Sequence, residues 1–273
     1  MTNGLFDRLL QRRTHTVQVS REVAEQASDY LLEMDARLEE LAEMPGLEQF
    51  ARSKSVPAAF FSTWDRALAA YDRYLDVMTS GSGGAPKARC GAGCAACCHE
   101  VPTGVQAIEY LAIYQRYRDF PDFVELHNRA CDLADQLTEL LAQQVPGARQ
   151  VPSDGPEATR ALLEYRRKRL RCIFLDSDQR CRIYDRRPIP CRMHFAITEP
   201  QWCEADHPRG EDAITPNLAP PKDMLEHMKT IARRLQLELP PTLFQGLGLL
   251  GGQVMANKRL RVSKPPLRRH PRG

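Results

Sequence analysis

The chain has 273 residues, of which 42% are hydrophobic and 27% charged, and its formal net charge is +3. That hydrophobic share builds a sizeable core and excludes disorder throughout, while the near-balance of charge commits the chain to no polyanionic partner. Its nine cysteines are an odd number, and the opening residues MTNGLFDRLLQRR break their apolar run with Asp7, Arg8, Arg12 and Arg13, so no secretory h-region forms. The expected compartment is therefore the reducing cytoplasm, where clustered thiols serve as metal ligands or catalytic groups rather than as a disulfide framework.

Three segments are expected: an N-terminal helical part (1–80), a cysteine-cluster domain (81–205), and C-terminal helices with a basic tail (206–273). Residues 20–44 place Val23, Ala27, Tyr30, Leu31, Met34, Leu38 and Leu41 at spacings of three and four, which predicts a helix ended by Pro45 and Gly46. Residues 57–78 do the same with Phe60, Phe61, Trp64, Leu68, Tyr71, Leu75 and Met78, and Pro57 suits a first turn. The two helices are expected to pair. TSGSGGAPKAR, residues 79–89, reads as a flexible linker or loop with little to bury. Helices are predicted over 105–117 and 122–145, followed by a polar loop to about Pro156 and a basic helix over 157–170.

Residues 172–184, CIFLDSDQRCRIY, hold two β-prone runs, CIFL and CRIY, around the turn-rich tetrapeptide DSDQ, the pattern of a small hairpin. Pro220 and Pro221 precede a further helix to about Leu237. The uncharged stretch 239–257 is too broken by prolines, glycines and amides to span a bilayer and reads as a buried helix with a glycine-rich turn. The tail from Lys258 is basic and expected to be loose. The fold class is mainly α: a helical bundle with a small irregular or β-hairpin cysteine-rich metal-binding element.

The chemistry is concentrated in the cysteines. Cys90, Cys94, Cys97 and Cys98 fall within nine residues, separated only by Gly and Ala. Such small spacers let the backbone curl around an ion and bring amide N–H groups to its sulfurs. The adjacent pair Cys97 and Cys98 point in different directions in any regular backbone, so one of them either serves a second ion or is surplus. Cys172, Cys181 and Cys191 form a second group, the first two drawn together by the hairpin and the third stiffened by Pro188 and Pro190. Zinc and iron–sulfur sites are both commonly completed by two such groups. Cys203 and His207 are weighed as extra ligands, His99 as an exposed or outer group, and Cys131 as an ordinary packed cysteine. Residues 166–192 carry ten Lys/Arg against three Asp. Of these, Arg187 and Arg192 are expected to balance thiolate charge, whereas 166–169 reads as a solvated helix face.

Together the two groups resemble the CxxCxxCC signature of the zinc- or iron-chelating YkgJ-type cysteine-cluster proteins. CIFLDSDQRCRIYDRRPIPCR looks like that family's second signature, with Tyr184, Arg187, Pro188, Cys191 and Arg192 where its tyrosine, Arg-Pro and Cys-Arg pairs stand. The resemblance covers about residues 88–195. The first gap departs from it by holding three residues rather than two. Cys90, Cys94 and Cys97 thus also read as CxxxCxxC, a spacing similar to that of S-adenosylmethionine radical enzymes, but the flanks read as helix and glycine-rich linker. The signature is also similar to that of flagellin lysine N-methylases, which implies an iron–sulfur cluster and methyl transfer. The leading expectation is an iron–sulfur cluster, 4Fe-4S favoured, doing redox or group-transfer chemistry on a protein or peptide substrate. A zinc-stabilised binding module without catalysis is the alternative. Nucleic-acid binding through the basic helix and the tail (Lys258, Arg259, Arg261, Lys264, Arg268, Arg269, Arg272) is the weakest reading, because no aromatic interleaving accompanies the charge.

Overall fold

Amphipathic periodicity builds the frame in the computed structural model, which describes residues 13–15, 17–146, 155–256 and 258–263. Helix α1, Arg21–Glu43, begins where the Val23 N–H donates to Ser20 Oγ, and it buries Ala27, Met34, Leu38 and Leu41. Helix α2, Phe60–Met78, buries Phe60, Phe61, Trp64, Tyr71 and Leu75. Pro57 stands ahead of this helix rather than in its first turn, and its carbonyl accepts from the Phe60 N–H at 3.0 Å. The two helices pack along one another in the most extensive helix pairing of the fold.

Residues 79–89 are not a free linker. Ser80 and Lys87 form an antiparallel bridge, and the Ser20 N–H donates to the Gly83 carbonyl at 2.6 Å. Gly83 sits at φ 55°, and a Cβ there would meet Val23 Cγ2 at 2.6 Å. Its lack of a side chain therefore lets the turn lie against the start of α1, where composition alone suggests flexibility.

Helix α3, Ala107–Tyr117, is buried on nearly every side and is nucleated by a capping box between Gln106 and Glu109. Helix α4, Phe123–Gln144, packs on α5, Pro156–Arg167, and on α7, Leu243–Leu249. Helix α6, Lys222–Leu235, starts behind Pro221 and packs on α1 and α3. The glycines after Pro241 lie inside helix, not in a turn: α7 runs on into a single π-helical turn, Leu250–Val254. A Cβ on Gly246 would meet the Tyr110 ring at 2.2 Å, and one on Gly251 would meet His127 Cε1 at 2.5 Å, so these glycines let α7 approach α3 and α4 closely.

One hydrophobic cluster extends from Ala27 to Met255 and draws on all three expected segments. The fold is a mainly helical bundle. Its regular strands among the described residues are two short parallel pairs that the sequence does not announce. Strand β1, Arg13–His15, pairs with β3, Ile214–Pro216, and β2, Ser55–Val56, pairs with β4, Arg261–Val262. The second pair corrects the expected loose tail as far as residue 263. Tyr114 Oη donates to the Lys258 carbonyl at 2.8 Å, and the Arg261 and Ser263 N–H groups donate to Lys54 and Val56. Lys264, Arg268, Arg269 and Arg272 lie outside the described residues, as do residues 1–12 and the polar loop at 147–154. Among the described residues, no helix is long and apolar enough to cross a membrane.

Candidate metal centre

Residues 90–98 follow the glycine turn without regular structure until a 3-10 turn at Ala96–His99. Gly93 takes φ 90°, a left-handed conformation that lets the chain reverse between Cys90 and Cys94. The second cysteine segment is a tight reversal rather than a pair of strands. Leu175 and Cys181 form an isolated antiparallel bridge, flanked by bonds from the Arg182 N–H to Phe174 O (2.8 Å) and from the Asp176 N–H to Arg180 O (2.9 Å). The expected hairpin is thus present as a turn without extended strands, because Gln179 at φ 59° and the DSDQ run leave little length for pairing. Cys191 stands in a single helical turn, Ile189–Arg192, capped by Pro188.

The two groups meet. The Cys172 N–H donates to the Cys98 carbonyl at 2.7 Å, which ties the start of the hairpin to the end of the first knot. The Cys97, Cys172, Cys181 and Cys191 thiols lie within electrostatic reach of one another. Burial raises the Cys172 thiol to about 12, with Cys181 and Cys97 adding to it. Burial likewise raises Cys191, reinforced by Cys172, Cys97 and Cys181, and it raises Cys181 as well, where Cys97 adds to it. Two backbone groups oppose this: the Phe174 backbone favours the Cys172 thiolate and the Ile183 backbone the Cys181 thiolate. The Arg187 guanidinium favours the thiolate at both Cys181 and Cys191. It stacks over the Tyr184 ring at 3.7 Å.

Cys90 and Cys94 form a second neighbourhood. The Cys90 thiol is raised far above its ordinary value, first by its hydrogen bond with Cys94 and then by burial, with Cys94 and Cys97 adding charge repulsion. Against this, the Ala196 N–H donates to Cys90 Sγ at 3.1 Å, and the Arg89 N–H donates to Ala196 O at 2.9 Å. Cys90 packs on a small cluster of Ala196, Cys203 and Ala213, in which Cys203 is 5% exposed. Cys203 thus sits by the site, whereas His207 lies in an exposed loop with its Nδ1 accepting from the Arg209 N–H. His99 is half-buried and its Nδ1 pairs with Arg169 O at 2.9 Å. Cys131 is part-buried 3.9 Å from His127 Nε2.

The arginine run has a mechanical role that its composition does not reveal. Arg182 grips Asp122 at 2.5 and 2.7 Å, and Arg186 pairs with Asp65. Arg192, 5% exposed, pairs with Asp72 and donates to Arg187 O and Asp185 O. These three clamps bolt the cysteine turn to α2 and to the start of α4. Asp65 and Asp72 stand seven apart on one face of α2, the spacing that would have signalled them in the sequence. Arg166 also departs from the solvated-face reading. It is 8% exposed, pairs with Glu100 at 3.2 Å and donates to Cys203 O at 2.8 Å. It departs because its helix turns this residue toward the knot, while Arg167 remains on the exposed side with Glu164. Glu100 also faces His194, 3.7 Å away. Inside the fold, Glu109 accepts from the Ile189 N–H at 2.6 Å, which sets the turn that carries Cys191 on α3.

Among the described residues, no three Cys, His, Asp or Glu side chains already stand at ligating distance from one point. Binding one ion therefore requires the thiols to draw together. The donor set fits a thiophilic metal: the seven expected thiols stand on three short segments, the 90–98 knot, the 172–181 reversal and the Ile189–Arg192 turn, and the Ala196 N–H is aimed at the Cys90 sulfur. Residues 89–207 match the CxxCxxCC family model, described as a putative zinc- or iron-chelating domain. No curated protein and no solved structure matches the chain.

Proposed function

We propose, from the match of residues 89–207 to the CxxCxxCC family model, that Cys97, Cys172, Cys181 and Cys191 hold one iron–sulfur cluster, of the 4Fe-4S type. Four thiolates are the complete ligand set of such a cluster. The observation that carries this reading is the mutual reach of these four thiols across three separate turns, with the Phe174 and Ile183 backbone favouring the Cys172 and Cys181 thiolates. Hydrogen bonds to sulfur and local burial are the levers by which a protein sets the potential of such a group. When bound, the cluster supplies one-electron chemistry. The chain's own residues supply the frame: Arg187 offsets thiolate charge at Cys181 and Cys191, while Arg182, Arg186 and Arg192 fix the turn on the helices. A protein or peptide substrate for redox or group-transfer chemistry remains part of the proposal, with S-adenosylmethionine as its weakest element.

Full-length protein prepared without oxygen tests this. It should be brown, with broad absorbance near ~400 nm, and should contain iron and acid-labile sulfide in equal amounts. Colourless protein holding zinc and no sulfide would favour the second reading, a zinc-stabilised binding module. That reading has its own support, since four half-buried thiols, once drawn together, would also complete a closed tetrahedral zinc site.

A further inference from the structure

The quartet leaves Cys90, Cys94, Cys98, Cys131 and Cys203 over, and the placement of Cys90, Cys94 and Cys203 is not that of spare thiols. The Cys90 and Cys94 thiols are close enough to interact directly. Cys203, distant in sequence, ends the 3-10 turn Pro200–Cys203, which packs on the Ala96–His99 turn of the knot. That turn is held down by a buried cation: Arg166 donates to the Cys203 carbonyl at 2.8 Å while paired with the buried Glu100. Cys90 packs on the same small cluster that contains Cys203 and receives the Ala196 N–H on its sulfur at 3.1 Å. An N–H aimed at a sulfur favours its thiolate, the form that ligates metal.

We propose that Cys90, Cys94 and Cys203 form a second thiolate site, for a single thiophilic divalent ion of the zinc class, alongside the quartet and separate from it. Three protein thiolates leave a fourth position on a tetrahedral ion for an outside ligand, the arrangement of zinc sites that act on a substrate rather than close a fold. Cys97 lies between the two groups, within electrostatic reach of Cys90 as well as of Cys172, Cys181 and Cys191. The inference does not depend on which metal fills the quartet.

Elemental analysis of full-length protein, prepared without oxygen, supplied with zinc chloride and desalted, tests it. One equivalent of zinc should accompany the iron, giving two centres per chain. Cys94→Ser and Cys203→Ser should each lose that zinc and retain the iron, while Cys191→Ser should lose the iron and retain the zinc. Should the quartet hold zinc instead, the wild type would carry two equivalents. Each of the three substitutions would then leave one, a pattern that refutes the iron–sulfur reading and still supports the second site. Cys203 is buried and its variant risks unfolding, so the half-exposed Cys94 carries the test independently, with circular dichroism as the check on folding. A wild type with a single centre, or a Cys94→Ser protein that keeps both, overturns the proposal.

Discussion

At the scale of single residues, Glu109 shows how the helical frame and the cysteine turn are joined. Burial raises its carboxyl to about 7, opposed by the N–H groups of Gln106 and Ile189 and by the charge of Arg192. A folded-state value above the ordinary 4.5 means that the folded protein holds a proton which the unfolded chain releases. The contribution of Glu109 to stability is therefore fully present below about 4.5 and is lost as pH rises through about 7. Unfolding free energy from urea titrations should fall by up to about 3 kcal/mol across that window. The same series on Glu109→Gln should be flatter, and equal slopes would remove Glu109 as the cause. Gly246 offers a second check at this scale. Tyr110 Oη donates to Pro240 O and Thr242 O, both at 2.8 Å, so its ring has no room to retreat from a new methyl group. Gly246→Ala should cost about 1–3 kcal/mol in the same assay. Neither residue was legible in the sequence. Glu109 reads as a polar position within an apolar helix, and the glycines of 239–257 read as a turn, because close approach between helices is a property of the partner as much as of the glycine.

At the scale of elements, the amphipathic helices were legible to within a few residues, since a stripe of Met34, Leu38 and Leu41 or of Phe61, Trp64 and Leu68 buries only one way. The connections were not. The 79–89 glycine turn and the 258–263 return were expected to be loose, yet both are anchored by backbone bonds to distant residues such as Ser20 and Lys54. Deleting residues 258–273 removes the bond from Tyr114 to Lys258 and the β2–β4 pairing. It should lower the melting temperature by several degrees, the response of a domain of this size to a loss of about 1–2 kcal/mol. An unchanged melt would show that the return is ornamental. The arginine clamps belong here too. The Arg192 side chain is 2% exposed while Asp72 is 46% exposed, so part of this pair is screened by water. Asp72→Ala, which strands a buried guanidinium, should destabilise by about 1–3 kcal/mol, whereas Asp178→Ala in the exposed DSDQ turn should stay within about 0.5 kcal/mol.

At the scale of the whole molecule, the hydrophobic cluster from Ala27 to Met255 is independent of the thiols for most of its extent. Helical circular dichroism should therefore survive Cys191→Ser with a lowered melting temperature, and a full collapse of helicity would instead make the metal the organiser of the fold. The cysteine pattern pointed to a metal centre from sequence alone. The division of its thiols did not follow from it, because spacing within 90–98 cannot say which sulfurs face Cys172, Cys181 and Cys191. The central claim is that division, and iron and sulfide analysis of anaerobically prepared variants tests it most directly. Serine at Cys97, Cys172, Cys181 or Cys191 should each abolish bound iron and sulfide, while Cys131→Ser keeps the wild-type content. Full iron retained by Cys172→Ser or Cys191→Ser would contradict the account.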